Sequence, residues 1–190
     1  MAGAREGVLK ESGGLRLILP KCEKGLGAVI SRPDSHDLID GVRVAPVQIW
    51  PDDRGFFLEA ARLGRELASG FGSRSTQVSV AVSYRGTTKA FHYHMLQTDL
   101  WIPCHGMLQV ALADLRDGSP TFGRRNTLYV GTLRPWQVLI PPGVAHGYKV
   151  IGDASAMLVY LTDRHYDPSD EGRLPYNSRD LAYDWETQRK

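Results

Sequence analysis

The segment GTTKAFHYHMLQTD, residues 86–99, sets His92 and His94 two positions apart and Asp99 five beyond the second. On a strand, a two-residue interval puts both imidazoles on one face. His146 stands in IPPGVAHG, a tight turn that leads into another apolar run. Imidazole titrates nearest neutrality of all side chains, so it can act as a proton-transferring base, and it is also a frequent metal ligand. Three imidazoles and one carboxylate, from His92, His94, Asp99 and His146, suit divalent iron, manganese, nickel or zinc better than calcium or magnesium. An Asp99–His94 hydrogen-bonded pair around water needs no ion. These two chemistries compete for His92, because a lone pair given to a metal cannot also take a proton.

Such residues need a frame that turns several strand faces toward one space. From Gly41 onward the chain supplies short runs rich in β-branched and aromatic residues: GVRVAPVQIW, QVSVAVSY, LWIPCHG, MLQVALADL, TLYVGT, WQVLIPPG, YKVIG and AMLVYLT. Clusters of Gly, Pro, Asp and Asn such as DLRDGSPTFGRRN separate them, as turns separate strands. QVSVAVSY alternates small polar with apolar residues, the mark of a strand with two unlike faces. One stretch has helical character: EAARLGRELASGFG, residues 59–72, with Leu63 and Leu67 at i and i+4 and Gly70 as a stop. The pattern predicts an all-β fold, an antiparallel barrel or sandwich of roughly a dozen strands with one pocket between its sheets. Residues 1–40, broken by SGG and SRPDSHD, read as a peripheral N-terminal extension or arm, and residues 41–190 as the single domain.

Composition excludes several classes. The 190 residues are 42% hydrophobic and 23% charged, the balance of a soluble globular chain. A net charge of +2 with no basic block argues against a nucleic-acid partner. No apolar run is long enough to span a membrane, and MAGAREGVLKESGG lacks the apolar core of a signal peptide. Cys22 and Cys104 cannot make a disulfide framework, so a reduced, cytoplasmic protein is expected.

The array G-x5-H-x-H-x4-D-x6-G from Gly86 to Gly106, followed by P-x-G-x-x-H from Pro141 to His146, resembles the two-part metal motif of the cupins, with Asp99 in the usual place of Glu. A wider resemblance runs from about residue 42 to 186. DDRGFFLEA, FHYH, DLRDGSPTFG, IPPGVAHGY, YLTDRHYDPSDE and YNSRDLAYDW stand in the order and near the spacing of the dTDP-4-dehydrorhamnose 3,5-epimerase family, a cupin-fold group of dimers. This resemblance implies a cupin-type jelly roll, a homodimer, and an isomerase that acts on a nucleotide-linked keto-sugar by removing a proton beside its carbonyl, without a required cofactor. It assigns His92 as the base, Asp184 as its carboxylate partner and Tyr166 as the opposing acid. Tyr160 and His146 would shape the sugar pocket. Arg54, Glu59, Gln77 and Lys89 would contribute to substrate binding, Arg54 and Glu59 often across the dimer.

Several positions depart from the family. Lys89 replaces an Arg, Ala90 a Gly, His94 a Gln and Asp99 a Lys. Lysine at 89 gives up bidentate phosphate recognition. Asp99 puts an anion where a cation would stabilise an enolate, which is explicable if a metal supplies the missing positive charge. Three readings stay open at this stage: a keto-sugar isomerase, a metal-dependent cupin enzyme on the same scaffold, and a sugar-binding module without turnover.

Overall fold

In the computed structural model, residues 7–188 are described; residues 1–6 of the expected extension and residues 189–190 lie outside the described residues. The apolar runs fold as strands of two facing sheets, an all-β jelly roll. Numbered along the chain, the six-stranded sheet has the spatial order β15 (Glu171–Arg173), β8 (Thr88–His94), β13 (Val144–Ile151), β10 (Met107–Asp114), β11 (Arg125–Gly131) and β3 (Ala28–Val29). The five-stranded sheet runs β4 (Arg43–Pro46), β12 (Trp136–Ile140), β9 (Asp99–His105), β14 (Ala156–Thr162) and β7 (Gln77–Ser83). Two hairpins, β1 (Val8–Ser12) with β2 (Leu15–Ile18) and β5 (Ile49–Asp52) with β6 (Gly55–Leu58), complete the set. Among the described residues the named strands pair antiparallel, except that β3 joins β11 in parallel.

Strand alternation explains the layering. Leu108, Val110 and Leu112 of β10 point between the sheets, while Ala111 and Ala113 point behind the six-stranded sheet. Both faces are dry, and each fully buried aliphatic side chain contributes about 1.5–3 kcal/mol. Behind the six-stranded sheet, Phe91 and Tyr93 of β8 pack with Leu17, Leu181, Tyr183 and Trp185. Behind the five-stranded sheet, Leu100, Ile102 and Leu161 are covered by Leu67, Ala68 and Phe71.

That last cover corrects the expected helix. Residues 59–72 contain only a single 3-10 turn, Glu66–Ala68. Gly64 (φ +75°) and Glu66 (φ +49°) leave the right-handed helical region, so Leu67 is buried while Leu63 stays exposed. The described part of the stretch expected as a peripheral arm is also more than an arm. Leu17 and Ile30 are wholly buried and Ile39 nearly so, and β3 extends a main sheet.

A polar knot ties that stretch to the barrel. The buried Asp114 carboxylate accepts from Arg116 Nε (2.8 Å) and Nη2 (2.9 Å) and from the hydroxyls of Ser119 and Thr121 (2.6 Å each). Arg116 Nη2 donates in turn to the Asp40 carbonyl at 2.7 Å. Burial opposes the charge on Asp114, but these donors outweigh it and hold the carboxyl below its ordinary range. Among the described residues no helix is long and apolar enough to cross a membrane.

Candidate active site

The outward packing of Phe91 and Tyr93 obliges His92 and His94 to face the space between the sheets. On β9, Leu100 and Ile102 turn outward, so Asp99 and Trp101 turn inward. β13 runs antiparallel to β8 and sets His146 opposite His92, with an irregular register between His146 and Tyr148. Gly147 permits that close approach: a Cβ there would stand 2.3 Å from the Ala90 Cβ. The result is a cavity of about 330 Å³ between the sheets.

Its floor is a buried triad. One ligand atom each from His94, Asp99 and His146 lie within 4.8 Å of one another. Asp99 Oδ1 accepts from Gln97 Nε2 at 2.6 Å, and Oδ2 accepts from Trp101 Nε1 at 3.2 Å. The same Oδ2 is 3.4 Å from His146 Nε2. His146 Nδ1 is 3.0 Å from the Val144 carbonyl, which can only accept, so that nitrogen carries the hydrogen. Gln97 Nε2 also lies 3.2 Å from His94 Nε2. His94 Nδ1 has no hydrogen-bond partner; 3.7 Å behind it is Asp170 Oδ2. The Asp170 carboxylate is fixed by the backbone N–H groups of Met95, Leu96 and Gln97. Burial pushes His146 down to about 4 and, together with the His146 charge, pushes His94 below its usual value. Burial also raises Asp99.

The mouth is wetter. The His92 side chain is 34% exposed, with Nδ1 3.4 Å from Glu171 Oε1. Burial opposes the charge of Glu171, but the Arg173 hydrogen bond and the His92 ring outweigh it and keep that carboxyl low. Lys89, Tyr160 and Arg173 line the walls. Gln77 Oε1 accepts the Tyr166 N–H at 3.1 Å while Gln77 Nε2 donates to Ser79 Oγ, which holds Tyr166 at the rim.

Of the residues named from sequence, His92, His94, Asp99, His146, Gln77, Lys89, Tyr160 and Tyr166 line this one cavity. His92 stands apart from the three-residue cluster, its ring centroid 6.5 Å from that of His146. Asp184, Arg54 and Glu59 lie elsewhere. Tyr183 and Trp185 turn into the layer behind the six-stranded sheet, so Asp184 between them turns out and accepts the Glu186 N–H at 3.0 Å. Arg54 pairs with Asp52 at the tip of the β5–β6 hairpin, and Glu59 pairs with Arg62 on the surface. Sequence reasoning missed Glu171, Arg173, Gln97 and Trp101. The usable signal was two-residue spacing: Glu171 with Arg173, and Asp99 with Trp101.

A family model described as dTDP-4-dehydrorhamnose 3,5-epimerase matches residues 37–190. The chain is 42% identical over 153 residues to the spore coat polysaccharide biosynthesis protein SpsL of Bacillus subtilis, covering 80% of this chain and 99% of that one. It is 32% identical over 144 residues to a dTDP-4-dehydrorhamnose 3,5-epimerase of Pseudomonas aeruginosa, covering 74% and 79%. Among solved structures it is similar to the dTDP-6-deoxy-D-glucose-3,5-epimerase of Legionella pneumophila in complex with dTDP-4-keto-L-rhamnose. There the TM-score is 0.68 and the identity 31%, over 80% of this chain and 82% of the other.

Proposed function

This chain belongs to the dTDP-4-dehydrorhamnose 3,5-epimerase family, and from that premise we propose that it is an isomerase acting on a nucleotide-linked 4-keto sugar. The carbonyl acidifies the neighbouring C–H. His92 takes that proton, the electron pair of the broken bond moves onto the carbonyl oxygen, and Tyr166 returns a proton to the same carbon from the other side. The observation that carries this reading is a half-exposed imidazole backed by the Glu171 carboxylate, with a tyrosine at the rim of the same cavity. Glu171 takes the partner role expected of Asp184. Its carboxylate favours a hydrogen on His92 Nδ1, which leaves Nε2 as the basic atom. Lys89 and Arg173 at the mouth suit a diphosphate.

Proton transfer of this kind needs no cofactor, and the reading stands without one. A homodimer and a cytoplasmic location are part of it. The exposed row Val78, Val80 and Val82 on edge strand β7 supports the pairing of two copies.

The test is incubation with a 4-keto-6-deoxy nucleotide sugar in deuterated water. Deuterium should enter at C3, C5 or both, His92→Ala should abolish the exchange, and Tyr166→Phe should slow reprotonation more than exchange. Binding of the sugar without any exchange would overturn the isomerase and leave a sugar-binding module.

A further inference from the structure

We propose that His94, Asp99 and His146 form a binding site for one divalent transition-metal ion at the cavity floor, with His92 outside the ligand set.

Both imidazoles have a front and a back nitrogen. The front Nε2 atoms of His94 and His146 face the Asp99 carboxylate, one across the Gln97 amide and the other directly. The back nitrogens face acceptors: His146 Nδ1 donates to the Val144 carbonyl, and His94 Nδ1 lies before the Asp170 carboxylate. An acceptor behind each ring, fixing its tautomer and aim, is the usual surrounding of metal-bound histidine. Trp101 plays the corresponding part for Asp99 by donating to Oδ2.

His146 Nε2 and Asp99 Oδ2, 3.4 Å apart, are both lone-pair atoms when the ring is neutral, so a cation or a shared proton must join them. A proton joins one pair only. His94 Nδ1, buried and unpaired, needs a further change, which a small turn of the ring toward a central ion and Asp170 would provide. Ligand atoms about 2.0–2.2 Å from one ion stand roughly 3–4 Å from each other, so the observed limit of 4.8 Å needs a contraction of side chains, not of strands. Two imidazoles and one carboxylate with open positions suit zinc or iron(II) rather than calcium or magnesium.

The structure also removes the conflict that sequence alone raised. His92 is not needed as a ligand, so a metal and a free base can share the cavity. The binding claim stands by itself. An electrostatic role for the ion, positive charge near the sugar carbonyl, rests on the isomerase reading.

The experiment uses the full chain without a polyhistidine tag, stripped with a chelator, dialysed and titrated with cobalt(II) and zinc(II). The expected result is about one equivalent per chain, with visible cobalt bands of a nitrogen–oxygen site. Asp99→Asn and His94→Gln should weaken binding by at least about a hundredfold, whereas His92→Ala should bind as the parent does. Absence of a cobalt spectrum in the parent protein overturns the site, whether or not the variants fold. Unchanged affinity in folded Asp99→Asn and His94→Gln overturns it as well. Stripped protein that binds no ion yet still exchanges deuterium overturns the site and keeps the isomerase. Protein that binds one ion but exchanges with no keto-sugar does the reverse.

Discussion

Glu171 Oε1 stands 3.4 Å from His92 Nδ1 and 2.5 Å from Arg173 Nε, so one carboxylate holds an imidazole and a guanidinium at once. The arrangement follows from pairing at a sheet edge. β15 lies beside β8 with Arg173 opposite His92 and Glu171 opposite His94, and both β15 side chains reach the cavity. Because Arg173 keeps Glu171 ionised, the carboxylate is available to the ring throughout the neutral range.

Glu171→Gln is therefore expected to slow deuterium exchange by about a hundredfold, the lower range for a general base that has lost its support. Asp184→Asn, on the outer layer, should leave the exchange rate unchanged. The reverse outcome would restore Asp184 to the role implied by resemblance.

The Asp114 knot carries stability. Asp114→Ala leaves Arg116 and two hydroxyls without their acceptor, and the cost should be about 3–5 kcal/mol by urea unfolding at pH 7. The Asp114 pKa is lower in the folded protein than the ordinary 3.8. Its contribution is thus fully present above that value and lost as pH falls through the folded pKa. The gap between parent and variant should narrow on going from pH 5 to pH 2.5.

The valine face of β7 predicts assembly. Val78, Val80 and Val82 are 61%, 60% and 59% exposed in a single copy. Val80→Asp should leave unfolding of the lone chain within about 0.5 kcal/mol, while sedimentation shifts from paired copies to single ones at micromolar concentration. A parent protein that is already a monomer would remove this surface from the account.

Gly147 tests how tightly the site depends on strand approach. Gly147→Ala brings a methyl within 2.3 Å of Ala90 Cβ and 2.8 Å of the Lys89 carbonyl oxygen. Destabilisation of about 1–3 kcal/mol is expected from overpacking, along with lost activity, because β8 carries both His92 and His94. Adding Ala90→Gly should recover part of both.

Much of this molecule is written in period-two alternation. His92 and His94 fall between the sheets because Phe91 and Tyr93 are the residues that can leave water, and the sequence states that directly. The same rule reads β10 and the run from Asp99 to Ile102. It does not say which face of QVSVAVSY turns inward. In the fold the face of Gln77 and Ala81 lines the cavity, with Ser79 bonded to Gln77, and the valines are left outside. Nor does local pattern reveal that EGR makes a strand: it is three residues of charged and small side chains whose register is set by β8. Glu171 was hidden for that reason, and Asp184 held the partner role through the family resemblance of YNSRDLAYDW. The expected helix failed at Gly64, where Leu63 and Leu67 part company.

His92 belongs to the six-stranded sheet, whereas Tyr166 is fastened through Gln77 to the edge of the five-stranded one. Under the isomerase reading, the gap between proton acceptor and proton donor is then the gap between the sheets, and side chains such as Val110 and Leu158 are its spacers. An enolate in a narrow gap meets the tyrosine before its departed proton can come back; in a wider gap, return from the original side competes. Stereochemical yield thereby becomes a property of core volume. A methylene group taken from Leu158 would alter the ratio of inverted to recovered sugar without changing any group that handles the proton.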